Sequence, residues 1–95
     1  MLDFIITNNR TKILDLARKH GIHNVRIFGS MAKGSATLSS DVDLLVDLDE
    51  GYDLFDLGAC LMDLQDLLHR KIDRVTQDAL HPRIREKILR EAVPL

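Results

Sequence analysis

The run DVDLLVDL alternates residue by residue. Val42, Leu44, Val46 and Leu48 point one way, and Asp41, Asp43, Leu45 and Asp47 point the other. That period predicts a strand with one apolar side and one carboxylate-bearing side. Downstream, DLFDLGACLMDLQDLLHR carries Leu54, Leu57, Leu61, Leu64 and Leu68 at alternating spacings of three and four, the pattern of an amphipathic helix. Upstream, NNRTKILDLARKHG reads as a helix capped by Asn8 or Asn9, with Ile13, Leu14, Leu16 and Ala17 on one side and Gly21 just past its end. Residues Leu2 to Ile6 can extend its start. Between these elements, Val25 to Phe28 is a short strand-like run halted by Gly29, and GSMAKGS is a turn that opens into a short helix. Asp49 to Gly51 forms a polar turn, KIDRV a third strand, and after Asp78 a last helix starts near Pro82 with Ile84, Ile88 and Ala92 inward.

The predicted fold class is therefore α/β (α+β), a small mixed sheet of about three strands. Helices pack on one face, and the other is left open for chemistry. There is no repeat or low-complexity tract, and residues 1–95 read as a single domain.

Composition narrows the partners. The chain is 45% hydrophobic and 29% charged, as expected of a folded domain, and its formal net charge of −2 provides no basic field for nucleic acid. The start MLDFIITNNR lacks a basic leader and a long apolar core, and no stretch approaches the roughly 20 apolar residues a membrane span needs. A cytoplasmic protein is expected. Cys60, the only cysteine, falls on the helical stripe with Leu57, Leu61 and Leu64 and reads as a packing residue.

Chemistry concentrates between Gly29 and Asp43. Asp41 and Asp43 share one side of their strand, where two like charges repel unless a cation lies between them. Such hard oxygen donors suit Mg²⁺, which takes one or two protein carboxylates and completes its shell with water and phosphate oxygens. If the third strand lies beside this one, Asp73 brings a third carboxylate, enough to hold two ions. Gly29 at a strand end lets the backbone approach a ligand, Ser30 adds a hydroxyl at a helix start, Gly34 keeps a second approach open, and Lys33 can reach a phosphate tail. Taken singly, an Asp-x-Asp is most often a solvated strand face and a Gly-Ser an ordinary turn. Their ordered combination carries the inference.

That combination resembles the minimal nucleotidyltransferases of the DNA polymerase beta superfamily, whose signature is Gly-Ser, ten residues, then Asp-x-Asp. Gly29, Ser30, Asp41 and Asp43 match it without a gap; FGSMAKG, SDVDLLV and KIDRVT match its flanks and its third-carboxylate strand, and the likeness runs to ILREAVPL. Lys33 stands where the family more often has Arg. The resemblance implies a polymerase-beta-like palm core, with Asp41, Asp43 and Asp73 as catalytic residues and as ligands of two Mg²⁺ ions. It implies nucleotide binding by Gly29, Ser30, Lys33 and Ser40, and ATP as substrate. Members of this length resemble the antitoxin partner of a HEPN-domain ribonuclease toxin, which implies AMP transfer to a toxin tyrosine within a hetero-oligomeric complex.

Two other readings stand beside this one. A non-catalytic antitoxin would neutralise its partner by covering it, and the basic segment HPRIREKILR, with His81, Arg83, Arg85, Lys87 and Arg90, offers a patch for an acidic surface. Its plainer role is a solvated helix with cations towards its C-terminal end. Transfer to RNA or an aminoglycoside would need a recognition domain. Tyr52 reads as a loop residue, and His20, His23 and His69 lack metal-ligand spacing.

Overall fold

Asp53 opens the longest helix with a reciprocal cap. Its side chain accepts from the N–H groups of Phe55 and Asp56, while the Asp56 carboxylate accepts from the Asp53 N–H. From there Leu57, Cys60, Leu61, Leu64 and Leu68 are buried as the spacing predicts, whereas Leu54, in the first turn, is exposed. The computed structural model describes residues 3–37, 40–76 and 80–95, with Arg74 and Val75 by backbone alone. Leu2 and Asp78, named above at the start of two helices, lie outside the described residues.

In chain order the elements are α1 (Phe4–Asn8), α2 (Arg10–Lys19), β1 (Ile22–Phe28), α3 (Ser30–Lys33), β2 (Val42–Leu48), α4 (Leu54–Leu68), β3 (Ile72–Val75), α5 (Pro82–Glu91) and β4 (Val93–Pro94). The sheet order is β3-β2-β1-β4; β2 pairs antiparallel with β1 and parallel with β3, and β4 pairs antiparallel with β1. A mixed sheet with helices was expected, but it has four strands rather than about three. Two residues including a proline show no alternation, so the pattern gave no sign of β4.

One apolar cluster fills the space between the sheet and α1, α2, α3 and α4. Ile6, Ile13, Ala17, Ile27, Met31, Val42, Leu44 and Val46 belong to it, together with the α4 leucines and Cys60. Burying a leucine of this kind stabilises the fold by roughly 1.5–3 kcal/mol relative to leaving it exposed. The break at Asn9 divides one expected helix into two, and the Asn9 amide donates back to the Ile5 carbonyl rather than capping α2.

The opposite face of the sheet is less open than expected. Leu45 is fully buried there and Arg26, its partner in the β1–β2 register, is only 9% exposed. Leu45 and Leu80 are both buried outside the main cluster. Helix α5 contributes no buried residue: Ile84, expected inward, is 49% exposed, and Ile88 is half-buried. Among the described residues, no helix is long and apolar enough to cross a membrane.

The residues singled out beside the motif have structural partners. The Tyr52 ring lies against Gly21, where a side chain would overlap it. His20 hydrogen-bonds Asp63 and His23 hydrogen-bonds Asp49. His69 caps α4 in the left-handed conformation, and His81 Nδ1 accepts from the Arg83 N–H at the start of α5.

Candidate active site

The site is built where β1 ends against the beginning of β2. Phe28, the last residue of β1, is in register with Asp43, and Gly29 turns the chain out of the strand at φ 72°, ψ −153°. This is a conformation that glycine alone adopts readily. Absence of a side chain is needed a second time, because a Cβ on Gly29 would occupy the position of Asp43 Oδ2. The glycine thus lets the Asp43 carboxylate lie directly against the turn that begins α3.

On the other side of β2, Asp43 is in register with Asp73 of β3. Paired residues of neighbouring strands share a face and stand about 4.8 Å apart along the sheet. The conditional placement of β3 beside β2 is thereby met. Asp41, two residues before Asp43 and just outside β2, is half-buried, as is Asp43, while Asp73 is exposed.

The electrostatics of the three acids differ from those of their neighbour Asp47. Asp47 is paired: Arg26 Nη2 lies 3.5 Å from its Oδ1 and the Asn24 amide donates to its Oδ2 at 2.8 Å. Among the described residues, no cation stands within ion-pair distance of Asp41, Asp43 or Asp73. Burial raises the Asp43 pKa above the usual carboxylate range, and the charges of Asp73 and then Asp41 raise it further.

The remaining motif residues lie at α3 and in the segment between α3 and β2. Ser30 is the first residue of α3, and the N–H groups of an opening helical turn have no acceptor within the helix. Lys33 ends α3 with Nζ 3.5 Å from Glu91 Oε2 of α5. Gly34 follows in the left-handed conformation as the C-terminal cap. Ser40 Oγ accepts from the Thr37 N–H at 2.7 Å, so its hydroxyl is engaged in its own turn. Neither the Glu91 contact nor the donation from Arg70 Nη1 to the carbonyls of Thr37 and Ser40 was visible in the sequence, since both depend on chain returns of 30 residues or more.

The donor set fits a hard divalent cation. Among the described residues, no three acidic, histidine or cysteine side chains converge on one point to hold an ion by themselves. Mg²⁺ does not require such a cage, because it keeps waters and phosphate oxygens beside one or two carboxylates. Adjacent carboxylates with no cation partner among the described residues match that demand.

Fold and site together define a nucleotidyltransferase core. The Polymerase beta, Nucleotidyltransferase profile matches residues 11–95, and the chain belongs to this family. It is 36% identical to a candidate protein adenylyltransferase of Methanocaldococcus jannaschii over 88 residues, covering 93% of this chain and 95% of that one. Similarity to the protein adenylyltransferase MntA of Thermococcus cleftensis is 34% identity over 79 residues, 83% of this chain and 80% of that protein. Among solved structures, that of a candidate minimal nucleotidyltransferase superposes with a TM-score of 0.87 at 42% identity, covering 100% of this chain and 97% of that one. A toxin-antitoxin crystal structure with AMP-PNP shares the fold at TM-score 0.75 and 20% identity, covering 90% and 71%.

Proposed function

We propose that this protein transfers an adenylyl group from ATP to a tyrosine hydroxyl of a HEPN-domain toxin, and so neutralises it as an antitoxin. The observation that carries the reading is the acidic array, without a cation partner among the described residues: Asp43 and Asp73 in register, Asp41 two residues before Asp43, and Gly29 without a side chain where Asp43 lies. Relatives named protein adenylyltransferases support the donor, and toxin-antitoxin structures of the same fold support the kind of partner.

Asp41, Asp43 and Asp73 would hold two Mg²⁺ ions, which when bound supply charge neutralisation for the triphosphate and acidify the attacking hydroxyl. The chain's own residues do the rest. Gly29 and Ser30 receive the phosphates where the backbone can approach closely. Asp73, the most exposed of the three acids, faces the acceptor and takes the proton of the tyrosine hydroxyl. The freed oxygen forms a bond to the α-phosphorus, the bond from that phosphorus to the β-phosphate oxygen breaks, and pyrophosphate leaves. Lys33 contributes a mobile positive charge towards the departing phosphates.

Intact mass spectrometry of the partner tests the reading, with co-expression of either the native protein or its Asp41→Asn/Asp43→Asn form. Mass added in adenylyl steps only with the native carboxylates is expected. An unmodified partner that copurifies with both forms would replace the reading by neutralisation through binding alone, for which the exposed basic helix α5 is the available surface.

A further inference from the structure

Asp41 is the least supported of the three acids, because it precedes β2 and the strand ladder does not hold it. What brackets it comes from one distant segment. Arg70 Nη1 donates to the carbonyls of Thr37 at 3.1 Å and Ser40 at 3.2 Å, and the Lys71 carbonyl accepts from the Val42 N–H at 2.9 Å. The two residues flanking Asp41 are therefore both tied to residues 70–71. That segment leaves α4 through the left-handed His69 and reaches Asp73 three residues after Arg70.

The tie also closes the turn internally. The Ser40 N–H donates to the Thr37 carbonyl at 3.1 Å, and the Thr37 N–H donates to Ser40 Oγ, so Arg70 donates to the carbonyls of two residues that are already bonded to each other. A guanidinium offers several donors in a fixed fork, and its hydrogen bonds to carbonyls are charge-assisted. A side chain without donors would leave the Ser40 carbonyl to water and the Thr37 carbonyl to the Ser40 N–H. Without the grip, Asp41 would be free to swing away from Asp43, which its like charge favours.

We propose that Arg70 is a positioning residue for the carboxylate site: it fixes the Ser40–Asp41 peptide so that Asp41 stays aligned with Asp43 and Asp73. The inference rests on reading those carboxylates as a cation site. One short segment, residues 70–73, then both supplies the third acid and holds the first. Outer groups that orient metal ligands in this way typically alter metal affinity by roughly 10–100-fold when removed.

The test uses the full chain with Arg70→Met, which keeps the aliphatic stem, and Arg70→Lys, which restores a single cationic donor. Two readouts separate the clamp from the site. Amide hydrogen exchange of Ser40 and Val42, measured without metal, reports the clamp; Mn²⁺ titration of the melting temperature reports the site. Expected for Arg70→Met are about tenfold faster exchange at both amides and a Mn²⁺ midpoint raised about tenfold, with partial recovery of both in Arg70→Lys. Unchanged exchange overturns the clamp. Faster exchange with an unchanged Mn²⁺ midpoint overturns the positioning role and leaves Arg70 a loop tether. A native chain that shows no Mn²⁺ response and no AMP transfer instead overturns the reading of the site as a whole, a result distinguishable from the other two because it appears before any variant is made.

Discussion

Asp43 and Asp73 stand directly opposite each other on β2 and β3, and like charges so placed destabilise the strands that carry them. No protein cation within the described residues offsets them, whereas Asp47, further along β2, is held by Arg26 and Asn24. The fold therefore carries at this point an electrostatic cost that an external cation can relieve. Activity and the stability of the metal-free chain should respond in opposite directions when the cost is removed.

Asp43→Asn is the direct case. Amidation removes the charge that burial, Asp73 and Asp41 all disfavour, at nearly constant volume. Transfer of AMP should fall about a thousandfold, the equivalent of several kcal/mol of transition-state stabilisation. The metal-free chain should melt about 2–4 °C higher, a gain of up to about 1 kcal/mol after solvent screening, and Mg²⁺ should no longer raise its melting temperature. Calorimetry with and without Mg²⁺, beside a transfer assay, checks all three; a variant that melts lower would show that Asp43 contributes to the fold through contacts other than charge.

Gly29→Ala tests the cradle itself. The alanine would have to adopt a backbone conformation costing on the order of 1–3 kcal/mol, and its methyl would displace the Asp43 carboxylate. Lower stability together with loss of AMP transfer is expected. Gly58→Ala is the matched control, because Gly58 lies within α4 with open space where its Cβ would be. Helix propensity alone should stabilise that variant by about 1 kcal/mol. Chemical denaturation of the two variants should move in opposite directions.

Much of this was legible in the sequence because it is local. Alternation fixed the side of β2 on which Asp43 lies, the three-and-four spacing of leucines located α4, and Gly29-Ser30 marked the strand end. Features made by chain return were not legible. The in-register meeting of Asp43 with Asp73 depends on β3 pairing parallel to β2, which the sequence allowed but did not require. The β4 strand is too short to show a period, the Arg70 contacts join residues 30 or more apart, and the Lys33–Glu91 pair joins α3 to the far end of the chain. Leu45 shows a different limit: alternation put it correctly on the acidic side, but not that this part of the side would be covered.

Cys60 yields a pH prediction away from the site. Burial and then the nearby Asp63 charge push its thiol up to about 11 from 9.0, and its side chain packs inside the main cluster. The folded state thus binds the thiol proton more tightly than the unfolded chain. The corresponding stability is fully present below about pH 9 and is lost as pH rises towards 11. At pH 8 only about one molecule in a thousand carries the thiolate. Alkylation by iodoacetamide should therefore be slow in the native protein and become fast in denaturant; equal rates in both states would show that Cys60 is accessible.

The Lys33–Glu91 pair sets the last test. Lys33 ends the short helix that begins at the Gly29 turn, but its ammonium is held by Glu91 on α5, which itself contributes no residue to the core. Exposed pairs of this kind are worth at most about 1 kcal/mol, so the contact is weak enough for a triphosphate to compete for the lysine. Glu91→Gln removes the competitor without altering length, and the KM for ATP should fall about two- to fivefold, a difference of less than 1 kcal/mol. Lys33→Ala should raise the same KM while the melting temperature stays within about 2 °C of native, the small change expected for a surface substitution. Steady-state kinetics at several ATP concentrations, with low salt to keep screening small, resolves both changes. If Glu91→Gln leaves KM unchanged while Lys33→Ala raises it, the pair is a surface contact that ATP already displaces at no measurable cost. If neither variant alters KM, Lys33 serves only to tie α3 to α5, and the phosphates are held by the turn at Gly29 and Ser30 alone.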